Sequence, residues 1–396
     1  MKHVISETVR AAMACELLLG RFFAPRSFYD RLKGSPDVSD FALGNPHEMP
    51  LPAYVETLRH WTTPRHKDWF SYTLDHPDAQ AAVAASLRRR TDMPFEAEDI
   101  AMTTGAFGGL AVILRVLAAA QGEVLFMSPP WFNYESMVVS AGATPRKVRV
   151  NAETFDLDLG AIEDALSPQT RAVIVNTPHN PTGKIYPAGT LQGLAELLHA
   201  YSTKRGSPVY IVSDESYNRI VYDGRRFRSP LEFYPYAFLV YTYGKTLLTP
   251  GERIGYIALP PGMPERKEMR AAIESVQINT GWLYPNASLQ YAVAELERLS
   301  IDVPRLQRRR DRLAAALQGC GYELNVPEGT FYMMVRSPWR DDWAFAEELA
   351  SHRILVLPGS VMEMPEYFRL SLTANDDMVD RALAGFGAAI RKAEVR

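Results

Sequence analysis

Cysteine is nearly absent: Cys15 and Cys320 are the only two in 396 residues. They lie far apart in helix-like contexts, so we read them as buried reduced thiols rather than a disulfide, which suits a cytoplasmic protein. Long apolar runs are missing as well, and no stretch approaches the roughly 18–20 residues that a membrane span needs. The N-terminal run Ala11-Ala12-Met13-Ala14-Cys15 is interrupted by Glu16 and is too short for a signal core. There is no surplus of basic charge. The 43 Lys and Arg stand against 46 Asp and Glu, a net charge of -3, with no basic block. Nucleic acid and membrane surfaces are therefore not expected partners. We find no internal repeat, no low-complexity tract and no metal-ligating cluster. Apolar side chains, by contrast, are abundant at 47% of the chain, enough for a large core. The length suits two or three units of about 100–200 residues each.

The pattern along the chain falls into three parts. Residues 1–45 form an N-terminal segment with helical spacing through Leu17-Leu18-Leu19, then Phe22 and Phe23, which could be core or could line a pocket. A short strand at Phe41-Ala42-Leu43 ends in the turn Gly44-Asn45-Pro46. From 46 to 285 apolar strands alternate with helices: strands at 123–128, 171–176, 209–213, 237–242 and 253–259, and helices opening at Gly105 and at Thr190, the latter expected to be a cap. Continuous apolar strands separated by helices predict an α/β fold with a mostly parallel sheet covered on both faces. Ligands of such sheets sit beyond the carboxyl ends of the strands. From 286 to 396 the pattern turns to helices at 287–299, 302–319, 341–352 and 376–394, with strand-like runs at 329–335 and 367–372. This reads as a smaller α+β domain, which the N-terminal segment joins.

Several strand ends carry chemistry. Ala237-Phe238-Leu239-Val240-Tyr241 runs into Thr242-Tyr243-Gly244-Lys245, and Arg253 follows eight residues on. A lone loop lysine is usually a solvated charge. A lysine closing a buried strand beside a hydroxyl and a second cation is set up to have its pKa lowered and to act as a nucleophile. The helix start at Gly105-Ala106-Phe107 offers free backbone N–H groups and a positive dipole end to an anion, with Thr103 and Thr104 the only hydroxyls nearby. Close packing would explain the glycines equally well. The loop Asn176-Thr177-Pro178-His179-Asn180-Pro181-Thr182-Gly183 is held by two prolines and a glycine, which fixes the Asn180 amide as a two-way hydrogen-bonding group; His179 reads as a loop residue. Asp214 ends a buried strand, where an unpaired carboxylate is costly, so it either meets a cation or caps the next helix. Glu215 points the other way. Arg369 sits inside the apolar strand Phe368-Arg369-Leu370, where a guanidinium needs an anion: a carboxylate clamp, or a structural ion pair.

Taken together, in this order and over nearly the full chain, these motifs resemble the fold-type I, class I/II pyridoxal-phosphate (PLP) aminotransferases. The octapeptide is similar to that family's Asn-Pro-x-Asn-Pro-Thr-Gly loop. The resemblance implies a seven-stranded-type sheet and PLP as cofactor. Lys245 would hold PLP as a Schiff base and act as base and acid, and Asp214 would keep the pyridine nitrogen protonated. Asn180 and Tyr217 would bond the ring's phenolic oxygen. Trp131, with Phe132 as the fallback, would stack on the ring. Gly105, Ala106, Phe107, Thr242 and Arg253 would receive the phosphate end, with Tyr72 reaching the partner subunit's phosphate in a homodimer. Arg369, Asn180 and Gly44 would bind the carboxylate of the substrates, an amino acid and a 2-oxo acid. One departure is Pro77, where many relatives have glycine.

Three local motifs (177–183, the turn at 105–108 and Trp131-Phe132-Asn133-Tyr134-Glu135-Ser136-Met137) look most like the kynurenine/glutamine/methionine transaminases. Gly281-Trp282-Leu283 lies where dicarboxylate-specific relatives place an arginine, and Phe107 lies where some carry a lysine. A neutral, aromatic or large apolar donor is therefore expected, packed against Trp282, Phe107 and Phe22, unless Arg21 or Arg26 swings in to serve acids. Two rivals remain open from sequence. One is a PLP lyase eliminating a β- or γ-substituent. The other is a non-catalytic regulator, for which we see no spare module.

Overall fold

The computed structural model of the protein describes residues 4–118 and 121–394. A two-residue strand β1 (Ser39–Asp40) precedes the main sheet, whose strands are β2 (Ile100–Thr103), β3 (Glu123–Ser128), β4 (Thr144–Arg149), β5 (Thr170–Asn176), β6 (Tyr210–Asp214), β7 (Ala237–Thr242) and β8 (Gly255–Ala258). Their order is β2-β8-β7-β6-β5-β3-β4. All run parallel except β8, which is antiparallel to both β2 and β7. Alternation along each strand divides the core. Leu125, Met127, Val173, Val175, Ile211 and Leu239 face one layer of helices, including 77–91, 188–205 and 287–296. Val124, Phe126, Ile174, Val212, Phe238 and Val240 face the other, which contains the helix 105–117. Burying each such side chain contributes about 1.5–3 kcal/mol.

Beyond this sheet, β9 (Tyr332–Arg336), β10 (Ile354–Leu355), β11 (Leu357–Pro358) and β12 (Tyr367–Ser371) complete the strands. β11, β12 and β9 form an antiparallel three-stranded sheet, and β10 pairs with β1. The N-terminal Phe22, Phe28, Val38 and Phe41 share one core with Leu313, Phe345, Phe368 and Phe386.

Several expectations shift by a few residues. The strand read at Phe41–Leu43 lies earlier, at β1. Phe41 N still bonds Leu355 O at 2.8 Å, but the Asp40 side chain then takes the Ala42 N–H and turns the chain. Thr190 is not a cap. The helix opens at Ala188 after Pro187, and the Thr190 hydroxyl donates to Asp156. The helix 287–296, placed with the small domain by a boundary at 286, packs instead with Tyr54, Val83 and Leu87 on the main sheet. Cys15 and Cys320 are free and only half-buried, each at a helix C-cap. Pro77 stands at the first turn of the helix 77–91, where its missing N–H costs nothing, and His76 caps the helix.

Candidate active site

A cavity of about 600 Å³ opens beyond the carboxyl ends of the parallel strands. Its floor is the helical turn Tyr243–Thr246 that follows β7 directly. The Thr242 hydroxyl caps this turn by accepting from Gly244 N at 3.4 Å. Below it, Tyr241 Oη and Thr246 Oγ1 are 2.8 Å apart, and Tyr243 Oη donates to Glu297, which also accepts from Arg219 at 2.7 and 2.8 Å. Lys245 is thus carried on a turn tied down by a buried ion pair. Its Nζ stands 5.8 Å from the ring centroids of both Tyr217 and Phe331.

The loop after β5 holds two asparagines against the end of β6. Asn176 Nδ2 donates to Asp214 O at 2.9 Å, and Asn176 Oδ1 accepts from Asn180 N at 2.7 Å. His179 is structural: it is buried beside Thr182 Oγ1 at 2.7 Å, and burial pulls its pKa down to about 3. Asp214 is fully enclosed. Its carboxylate accepts from Ser216 Oγ at 2.6 Å, Ser216 N at 3.2 Å and Tyr134 Oη at 2.7 Å. The capping alternative survives only as this local turn, because residues 216–219 form turns and not a helix. Burial raises the Asp214 pKa; the Ser216 and Tyr134 hydrogen bonds and the Lys245 charge act against it. None of its hydrogen-bonding partners is a cation. Tyr134 was not singled out from sequence, since nothing local distinguishes a helix-start tyrosine from a core one.

Arg369 on β12 is buried and has no carboxylate among its hydrogen-bond partners. Nη1 donates to Asn180 Oδ1 at 3.0 Å and Nη2 to Ala42 O at 3.2 Å, while Nε has no partner among the described residues. Its guanidinium lies 3.8 Å from the ring centroid of Tyr332. Burial lowers its pKa, and Tyr332 and Tyr217 oppose that. Tyr332 is a second residue that sequence reading passed over. A Cβ on Gly44 would stand 2.5 Å from the Tyr332 hydroxyl, so glycine is what lets residue 44 approach here.

At the opposite end, Gly105 has φ +78°, and a Cβ there would lie 2.7 Å from Arg253 Nη2 and 3.3 Å from Thr242 Oγ1. The N-terminus of the helix 105–117 therefore meets a hydroxyl and a guanidinium in one concavity. Arg253 stands just ahead of the antiparallel strand β8, close to the start read from the sequence, and reaches the same rim because that strand runs against its neighbours. Thr103 is committed to Gly105 O at 3.0 Å, whereas the buried Thr104 hydroxyl lines the cavity without a partner among the described residues.

The remaining wall is aromatic. Phe107, Trp131, Phe132, Trp282 and Phe23 line it. Phe107 and Trp131 rings meet edge-on at 4.8 Å, and Trp131 meets Tyr134 at 5.3 Å. Phe22 is core, not lining, and its neighbour Phe23 takes that place. Of the residues singled out from sequence, Gly44, Ala106, Phe107, Trp131, Asn180, Asp214, Tyr217, Thr242, Lys245, Arg253 and Arg369 all line the cavity, and Gly105 borders it. Tyr72 does not: it is 87% exposed, with its ring 4.9 Å from that of Tyr284.

The family model "Aminotransferase class I and II" matches residues 36–386. An aspartate/prephenate aminotransferase of Thermus thermophilus is 28% identical over 90% of this chain and 92% of its own. The structure of an amino transferase from Eubacterium rectale superposes with a TM-score of 0.87 at 27% identity, covering 98% of this chain and 96% of the other. A tetra mutant of the Thermus thermophilus aspartate aminotransferase, complexed with tryptophan, superposes with a TM-score of 0.81 at 25% identity, over 98% of this chain and all of that one.

Proposed function

Since the chain belongs to the class I and II aminotransferases, a PLP-dependent family, we propose that it moves the amino group of a neutral, aromatic or large apolar L-amino acid to a 2-oxo acid. The residues around the cavity fit the cofactor. Thr104 Oγ1 and Arg369 Nε are buried donors without partners among the described residues. The Gly105 concavity would be filled by any Cβ. Asp214 is a buried carboxylate hydrogen-bonded only by neutral groups. When bound, PLP supplies an electron sink that makes the amino acid's Cα proton acidic.

The chain's own residues do the rest. Gly105, Ala106, Thr242 and Arg253 would bind the phosphate. Asp214 would hold a proton on the ring nitrogen, Asn180 and Tyr217 would meet the ring oxygen, and Trp131 would cover the ring face. Arg369, Asn180 and Gly44 would orient the substrate carboxylate. Lys245 Nζ would carry the cofactor covalently and, when displaced, take the Cα proton and return it as general base and acid. Two successive half-reactions at one site make the kinetics ping-pong.

The observation that carries the donor class is the cavity's charge. Its lining cations among the described residues are Lys245, Arg253 and Arg369, and each already has a task. Arg21 stacks over Trp343 at 4.1 Å, and neither it nor Arg26 lines the cavity. An acidic side chain entering there would lose water without gaining a cation, at a cost of several kcal/mol. An aromatic one would gain about 25 cal/mol for each Å² it buries against Phe107, Trp282 and Phe23. The tryptophan complex of the Thermus mutant concerns a ligand of that size on a related fold. The curated relative reported above carries aspartate and prephenate in its name, and the narrower likeness to kynurenine/glutamine/methionine transaminases rests on the three sequence motifs. A panel of amino donors decides. Phenylalanine, tryptophan, kynurenine, methionine or glutamine should give the highest kcat/KM; aspartate well above all of them would overturn the donor class.

The same proposal includes a homodimer. Phe70 and Tyr72 are 61% and 87% exposed, large aromatic surface that a second copy would cover. Sedimentation velocity should give about twice the 44.4 kDa chain mass. A fully active monomer would contradict this and take Tyr72 out of the site.

A further inference from the structure

Glu215 is a buried carboxylate next to Asp214, only 1% exposed, and the proposed reaction gives it no task. Ser213 pairs with Leu239 and Asp214 with Val240. Alternation along β6 therefore sends Asp214 to the face of Val240, and Ser213 and Glu215 to the face of Leu239. There Glu215 lines a small separate cavity with Leu87 and Arg90 of the helix 77–91. Its carboxylate accepts three hydrogen bonds. Ser213 Oγ donates to Oε1 at 3.0 Å, Ser229 Oγ donates to the same oxygen, and Asn218 Nδ2 donates to Oε2 at 2.9 Å. The Asn218 amide is oriented from its other end, where Oδ1 accepts from Arg90 Nη1 at 3.5 Å. One side chain thus ties the residue before Asp214 to the residue after Tyr217. Between the two ties lie Asp214, Ser216 and Tyr217, which all line the active cavity, and Ser216 Oγ donates to Asp214 at 2.6 Å.

We propose that Glu215 is a positioning residue: from the far face of the sheet its carboxylate brackets the turn 213–218, and so fixes Ser216 against Asp214 and Tyr217 at the cavity. This rests on the reading of the cavity as the aminotransferase centre. Residues 215–220 belong to no helix or strand, so no regular ladder holds them. The backbone supplies two bonds at this point, Glu215 N to Val240 O at 2.9 Å and Asn218 N to Glu215 O at 3.0 Å. The carboxylate adds the ties that reach from Ser213 across to Asn218 and out to Ser229. What the bracket needs is an acceptor and not a charge. A glutamine could accept from Asn218 and turn its N–H groups to Ser213 and Ser229, whose hydroxyls accept as well as donate. A methionine has the length of glutamate but leaves the three buried donors unpaired.

The alternative is that the Tyr217 ring is held by packing on Phe331, 5.2 Å between centroids, and that Glu215 only satisfies buried donors. Two variants separate them. In Glu215→Met holoenzyme kcat should fall about tenfold or more, while KM for the amino acid stays within about twofold, because Arg369, Asn180 and Gly44 stand on other elements. Glu215→Gln should bring kcat back to within about threefold of wild type. A readout independent of the cofactor is amide hydrogen exchange of the cofactor-free protein. A peptide covering 214–220 should exchange about tenfold faster in Glu215→Met and at the wild-type rate in Glu215→Gln, with β5 and β7 protected in both. Should Glu215→Met not fold, Asn218→Ala removes one end of the bracket alone and is held to the same two results. Unchanged exchange at 214–220, kcat within about threefold of wild type without the acceptor, or Glu215→Gln falling as far as Glu215→Met would overturn the proposal. A wild-type holoenzyme that transaminates no donor would overturn the reading of the cavity instead, and the exchange rates would still decide the bracket.

Discussion

A Lys245→Ala variant is expected to lose turnover while keeping its fold. The fold should survive because the turn 243–246 is held by Thr242, by Tyr243 on Glu297 and by Tyr241 against Thr246, none of which involves the lysine side chain. Alanine also suits a helical turn. The reaction should not survive. Nζ is the group assigned both the covalent hold on PLP and the Cα proton, and base catalysis alone is worth about 10²–10⁴ in rate. Steady-state 2-oxo acid production should fall to background and the imine absorbance should disappear, with the melting temperature within a few degrees of wild type. Normal transamination by this variant would remove Lys245 from the mechanism.

Asp214→Asn should bind PLP but lose most of its rate. The substitution is nearly isosteric, so β6 and the Asn176 bond to Asp214 O stay in place. What disappears is a buried negative charge that, on the proposed reading, would hold a proton on the ring nitrogen by Coulomb attraction in a dry site. The remaining amide must also turn one N–H toward the hydroxyls of Ser216 and Tyr134, both of which donate to Asp214. The expected loss in kcat exceeds tenfold, about 1.4 kcal/mol of barrier. A smaller loss in stopped-flow or steady-state assays would make Asp214 a local turn cap and not a cofactor partner.

The parts of the site legible in the sequence were those whose chemistry is written in contiguous residues. The loop 176–183 announces itself through its prolines and glycine, and Lys245 and Asp214 through their places at the ends of apolar strands. The main sheet was legible for the same reason, since β5, β6 and β7 are almost wholly buried and read as unbroken apolar runs. β4 was missed because it is an edge strand, and in Thr144–Arg149 only Val148 is fully buried. Tyr134 and Tyr332 were missed because their roles depend on partners distant in the chain: Tyr134 meets Asp214 across 80 positions. The same applies to the choice between Phe22 and Phe23, adjacent residues that a helix turns in different directions, one into the core and one toward the cavity. Tyr72 lies outside the cavity of its own chain, so its role depends on the proposed partner subunit.

The most direct test of the account is a single half-reaction. Wild-type holoenzyme is mixed with the best amino donor and no acceptor, and absorbance, 2-oxo acid and ammonia are followed together. The account predicts one 2-oxo acid per active site, no ammonia, loss of the imine absorbance, and its return when a 2-oxo acid is added. Continued release of 2-oxo acid with matching ammonia in the absence of an acceptor would contradict transamination and indicate an eliminating lyase.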